Sequence, residues 1–119
     1  MTLTIVRPSI VGASLRDPFP GWIDSLVASA AIYFFSGIGL IKVLYGDEDL
    51  IGDQVPVDYV ADHILVAGAY NAGKSNLEVY NLCSSARNPM TWRVAKECVR
   101  EYWNKYPTTQ RLSKCTVTF

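Results

Sequence analysis

The string Gly68-Ala69-Tyr70-Asn71-Ala72-Gly73-Lys74-Ser75 satisfies the phosphate-loop spacing G-x-x-x-x-G-K-S. In such a loop the backbone amides and the lysine cradle phosphates, and the serine hydroxyl holds magnesium. The surrounding residues argue for something else. Residues 57–68 place apolar side chains at helical spacing where a phosphate loop needs a strand. Leu77 to Leu82 then alternates where the loop needs a helix. Only 44 residues follow Ser75, too few for the remaining strands and second metal-binding carboxylate of a nucleotide hydrolase. The pattern predicts a loop that ends a helix, with Gly73 left-handed and Lys74 solvated. Tyr70 and Lys74 also form the sole Tyr-x-x-x-Lys pair, within that same loop. His63, the single histidine, sits in an apolar helical pattern and reads as a packed helix residue. Cys83, Cys98 and Cys115 are odd in number and lack a C-x-x-C pair, which speaks against a disulfide framework or zinc site and for a reducing compartment. Asp58 follows a short extended stretch and is expected to cap the next helix, and Asp53 is expected to be structural.

The elements that must position these groups can be read from periodicity. Thr2 to Val6 alternates as a strand and closes at Arg7-Pro8, which also interrupts any signal-peptide core. Ser9 to Gly21 reads as loop, and Trp22 to Leu44 as a buried apolar helix or helix plus loop. The 17 uncharged residues between Asp24 and Lys42 fall short of the roughly 20 that a membrane span needs. Gln54 to Val57 reads as a short strand, residues 57–68 as a helix, and Leu77 to Leu82 as a strand. Asn88 as cap and Pro89 at the first helical position predict a final helix, with Trp92, Ala95, Val99, Tyr102 and Tyr106 on its apolar stripe. The tail from Pro107 to Phe119 carries little pattern. At 119 residues, 50% hydrophobic and 18% charged, the chain belongs to the folded class and reads as α/β, with too few strands for a self-sufficient sheet. Its net charge of zero gives no reason to invoke nucleic acid. The acidic middle, Asp47 to Asp62, and the eight basic residues from Lys74 to Lys114 read as solvated faces.

Thr4-Ile5-Val6-Arg7-Pro8-Ser9-Ile10-Val11-Gly12-Ala13-Ser14, continued by Asp17-Pro18-Phe19-Pro20-Gly21-Trp22-Ile23-Asp24, resembles the fatty acyl-CoA reductase (male-sterility) branch of the extended short-chain dehydrogenases. Asp53-Gln54-Val55-Pro56-Val57-Asp58-Tyr59-Val60, Val79-Tyr80-Asn81, Ser84-Ser85 and Asn88-Pro89-Met90-Thr91-Trp92 are similar to later landmarks of that family, in order. The resemblance implies the carboxyl-terminal portion of an incomplete Rossmann-like NAD(P)-binding reductase domain over residues 1–106, with an irregular tail over 107–119. It implies reduction of long-chain fatty acyl-CoA to fatty alcohol in two NADPH-dependent hydride steps. Pro8, Ser9, Ile10 and Val11 would flank the nicotinamide, Gly12 would allow close approach, and Phe19, Pro20, Gly21 and Trp22 would shape the acyl pocket's mouth. The family's glycine-rich cofactor loop and catalytic Tyr-x-x-x-Lys lie upstream of the matching segment, so the chain alone is expected to be inactive. Residues 25–44 depart from the family by being more apolar. Possible membrane association, at the peroxisomal or endoplasmic-reticulum surface, goes with the same resemblance. Two other readings stay open on the residues alone: a nucleotide-binding fragment at Gly68–Ser75, and a small membrane-associated or partner-binding protein.

Overall fold

β-Branched residues in alternation make Leu3–Pro8 a strand (β1), which pairs in parallel with Leu77–Leu82 (β4) in the register Leu3 to Leu77 through Pro8 to Leu82. The computed structural model describes residues 3–119, so Thr2, where the first strand was expected to begin, lies outside the described residues. One residue past β1 the chain changes partner. Ser9 still donates its amide to the Leu82 carbonyl at 2.9 Å, whereas Ile10 donates to the Asp53 carbonyl at 3.1 Å. Ile10–Gly12 (β2) then pairs in parallel with Gln54–Pro56 (β3). The expected loop over residues 9–21 therefore begins with a strand, whose three residues are too few to show a period.

The helices are Ala28–Gly37 (α1), Val57–Asn71 (α2) and Trp92–Lys105 (α3). α1 is less than half the length of the apolar run that suggested it. Val27 supplies no side-chain cap, and Gly39 at φ +81° turns the chain away beyond Ile38. Among the described residues no helix is long and apolar enough to cross a membrane. α2 runs past Gly68 to Asn71, after which Gly73 is left-handed at φ +78° and β4 follows. The order helix–loop–strand is the reverse of a phosphate loop's, so the nucleotide-binding reading fails on topology. Lys74 is not solvated as expected: its Nζ lies 3.4 Å from the Tyr70 ring centroid and 3.4 Å from Asn71 Oδ1. Asn71 is buried and donates to Tyr80 Oη at 3.1 Å, and His63 packs edge-on against Tyr80.

α3 begins three residues later than the Asn88-Pro89 pair suggests. Thr91 caps it instead, its hydroxyl accepting from the Val94 amide at 3.4 Å. The amide of Trp92 is engaged by the Leu50 carbonyl and that of Gly52 by the Met90 carbonyl, which fastens the acidic loop across the helix start. Arg93 pairs with Glu48 and Asp49, and Lys96 pairs with Glu48. Part of the acidic middle and part of the basic end thus pair with each other.

The tail closes the second layer. Thr118 donates to the Lys42 carbonyl at 3.1 Å and accepts from Leu44 at 2.9 Å, forming one isolated parallel bridge with Val43. Cys115 and Val117 are among the most buried residues of the chain. Under them α1 and α3 approach closely at Gly37, where an added Cβ would stand 2.2 Å from Trp103 Cε2. Gly37→Ala should therefore lower stability by about 1–2 kcal/mol, because the clash with a packed indole exceeds the roughly 1 kcal/mol that alanine gains in a helix. Gly68→Ala on α2, where a Cβ meets nothing within 4 Å, should raise stability by about 0.5–1 kcal/mol. Urea denaturation followed by far-ultraviolet dichroism checks both.

Candidate functional site

Because β1 and β2 run in sequence and β3 and β4 are parallel to them, these strands end on one side of the fold. In open parallel sheets ligands bind outside the carboxyl ends of strands, where loops diverge and leave a crevice. A hollow of about 540 Å³ lies there, touching Gly12 at the end of β2, Pro56 at the end of β3 and Leu82 at the end of β4. Ala13, Leu15, Val55 and Met90 make much of its wall apolar, and Gln54, Tyr59, Ser84, Arg87 and Asn88 add polar groups. No histidine, lysine or carboxylate lines it.

Asp53 fixes the geometry of this hollow. Its carboxylate accepts from the Ser85 hydroxyl at 2.9 Å, the Ser84 amide at 3.1 Å, the Ser85 amide at 3.3 Å and the Ser9 hydroxyl at 3.3 Å. The Ser84 hydroxyl meanwhile donates to the Gln54 carbonyl at 2.6 Å. Burial works against the charge on Asp53, but the Ser85 and Ser84 bonds outweigh it and hold the carboxyl below its ordinary range.

Asp58 does not cap α2 from its own first turn as expected. It reaches across to the loop after β2, accepting from the amides of Leu15 at 3.0 Å, Arg16 at 2.9 Å and Asp17 at 3.3 Å. Those amides have no ladder partner, and three bonds to one carboxylate stabilise the charge more than a single capping bond would. Burial again opposes the charge, and the Leu15, Arg16 and Asp17 bonds bring the carboxyl below its ordinary value.

The residues singled out in the sequence fall into three places. Pro8 is exposed at the end of β1, and the amide and hydroxyl of Ser9 are spent on Leu82 and Asp53. Ile10 and Val11 are half-buried in β2, and Gly12 reaches the large hollow. Phe19, Pro20 and Gly21 are exposed in a loop folded back on Ser14, whose hydroxyl donates to the Phe19 carbonyl at 2.6 Å. Trp22 lines a separate hollow beside Val57, Asp58 and Asp62, so the structure does not bring it together with Gly12. Residues of the hollow that sequence reasoning passed over include Gln54, Tyr59, Arg87 and Cys83. Gln54 and Tyr59 stood in the Asp53–Val60 string without a role, and Cys83 and Arg87 had only their place after β4 as a signal. No group of side chains suited to a metal ion occurs among the described residues.

The sequence profile of an NAD-binding family described as Male sterility protein matches residues 1–64, more than half of the chain. The chain belongs to this male sterility family. Fatty acyl-CoA reductase 1 of Xenopus laevis is 32% identical over 119 residues, covering 98% of this chain and 23% of that protein. The human protein of the same name is 33% identical over the same span. Probable fatty acyl-CoA reductase 5 of Arabidopsis thaliana is 35% identical over 112 residues, covering 93% of this chain and 23% of that protein. The chain thus spans about a quarter of the length of these relatives. Among solved structures, UDP-glucose 4-epimerase of Thermotoga maritima superposes with a TM-score of 0.58 at 20% identity, over 98% of this chain and 37% of that one. The fold is accordingly a partial Rossmann-like α/β unit.

In this male sterility family member the two depressed carboxyls set an acid limit. Each is lower in the folded state than when unfolded, so its contribution is present above the ordinary carboxylate value, near pH 4, and is lost as pH falls through the lowered one. Hydrogen-exchange protection at Leu15, Arg16 and Asp17 should hold through neutral pH and fall in acid. Asp58→Asn should lose about tenfold of that protection already at pH 7 while sparing the β1–β4 amides.

Proposed function

We propose that the chain forms the substrate-side wall of an NADPH-dependent reductase that converts long-chain fatty acyl-CoA to fatty alcohol. The observation that carries this reading is the hollow at the strand ends beside Gly12, on a fold whose relatives bear the name fatty acyl-CoA reductase. Bound NADPH would supply hydride in two successive steps. The residues present fit one edge of a nicotinamide. Pro8 has no amide hydrogen and the Ser9 and Ile10 amides are already bonded, so the stretch Pro8–Val11 offers the ring apolar contact rather than new hydrogen bonds. Gly12 leaves room for the reacting carbon, since even a Cβ there would meet nothing closer than 3.7 Å. This chain's own work is to bind, orient and exclude water.

Among the described residues no Tyr-x-x-x-Lys pair faces the hollow and no glycine-rich phosphate turn follows a strand, so on this reading proton donation and the diphosphate grip belong to the rest of such an enzyme. The reading extends to possible membrane association, at the surface of the peroxisomal or endoplasmic-reticulum membrane, on family resemblance alone. Purified residues 1–119 should show no acyl-CoA-dependent NADPH oxidation. Placed instead of the matching segment in the Xenopus relative, the same residues should support it. Turnover by the isolated chain would sink the account of the missing groups, and a folded, NADPH-binding chimera that reduces no acyl-CoA would sink the assignment.

A further inference from the structure

A second groove, of about 400 Å³, lies between α1 and α3, walled by Tyr33, Cys98, Val99, Tyr102 and Trp103. It adjoins the hollow at the strand ends. Ala13, Gln54 and Met90 line both and so mark the neck between them, one residue from Gly12. The Gln54 amide donates to Tyr33 Oη, which fixes the side chain at that neck. Along the joined surface the chemistry changes in one direction. Arg87 and Asn88 line the hollow and not the groove, and Arg87 makes no ion pair among the described residues. The neck offers one amide, and the groove beyond it is aromatic and aliphatic. Each hollow falls within the roughly 300–1,000 Å³ typical of small-molecule sites.

Such a gradient complements an amphiphile with anionic groups at one end and a long apolar chain at the other. Resting on the proposed acyl-CoA reaction, we infer that the joined hollows seat the thioester lengthwise: acyl chain between α1 and α3, thioester at the Ala13–Gln54 neck, and phosphate-bearing end toward Arg87. The reacting carbonyl then lies next to Gly12, where the nicotinamide edge is proposed to be. Chain length is read by the Cys98–Tyr102 wall and not by the loop Phe19–Trp22, which lines no part of either hollow.

Two thiols report on the two halves. Cys83 lines the hollow and Cys98 lines the groove, both exposed, whereas Cys115 is buried and signals general unfolding if it reacts. Maleimide labelling of the full 119-residue chain, followed by mass spectrometry, should be measured with S-octyl-CoA and S-hexadecyl-CoA, thioethers that cannot acylate a cysteine. At about ten times its dissociation constant, S-hexadecyl-CoA should slow both Cys83 and Cys98 about tenfold. S-octyl-CoA should slow Cys83 alone. Ala13→Trp, at an exposed position, should restore Cys98 labelling in the presence of S-hexadecyl-CoA. Arg87→Ala should weaken both probes about tenfold and leave the chain-length pattern unchanged. Protection of neither thiol, equal protection of Cys98 by both probes, or no effect of Ala13→Trp in a variant with unchanged dichroism would overturn the inference. Loss of the reductase reading is separate, showing as a chimera without turnover however the thiols label.

Discussion

At Ser9 a strand leaves one parallel neighbour and takes up another, and a ladder broken at that point strands polar groups from two segments at once. The Asp53 carboxylate gathers them, from the Ser9 hydroxyl, the Ser84 amide, and the amide and hydroxyl of Ser85. Without it the chain just past β1 and β4 would carry partly buried donors with no acceptor, an arrangement that folded proteins avoid because desolvation is then uncompensated. The same bonds hold the chain after β4 in the turn that carries Cys83, Arg87 and Asn88 to the hollow. Asp58 does the corresponding work on the other side of β2, holding Leu15 to Asp17. Two carboxylates thus shape the hollow without lining it.

How much of this was legible in the sequence depends on whether the deciding contacts were local. β4 was read residue for residue and α2 was recognised as a helix, starting two residues earlier than an Asp58 cap implies, because alternation and helical spacing are properties of neighbours. Gly73 was read correctly for the same reason. The beginning of α3 was misplaced by a good local cap, Asn88-Pro89, which lost to Thr91 once loop 47–52 bonded across the helix start. Asp58 has the identity of a cap but acts on amides more than forty residues away, which no local rule foresees. The tail failed likewise: Cys115 and Val117 have no periodic neighbours, and their burial comes from packing and from bridging Val43.

For the candidate site, the motif string led to the strand end where the hollow lies but not to most of the side chains that line it. Gly12 was found through the family pattern, whereas Arg87 looked like one of many basic residues on a solvated face. The charge pattern misled because it was counted along the chain. In space, Arg93 and Lys96 are used against Glu48 and Asp49, which leaves Arg87 as a cation facing a hollow.

The shape of the chain connects these points to its dependence on neighbouring structure. Its radius of gyration is 17.3 Å, against about 13–14 Å for a compact domain of this length. Leu3 and Leu77 on the sheet and Ile64, Leu65 and Val66 on α2 are all exposed, and β1 pairs with β4 on one side only. Surfaces of this kind are stable when another layer covers them, and the relatives, about four times as long, have chain enough to do so. The hollow does not depend on that cover for its own form. Its walls are fixed from within by the Asp53 and Asp58 bonds and by the β2–β3 ladder. The geometry of the hollow is therefore set by bonds within this chain, while the outer apolar faces of the sheet and of α2 stay uncovered.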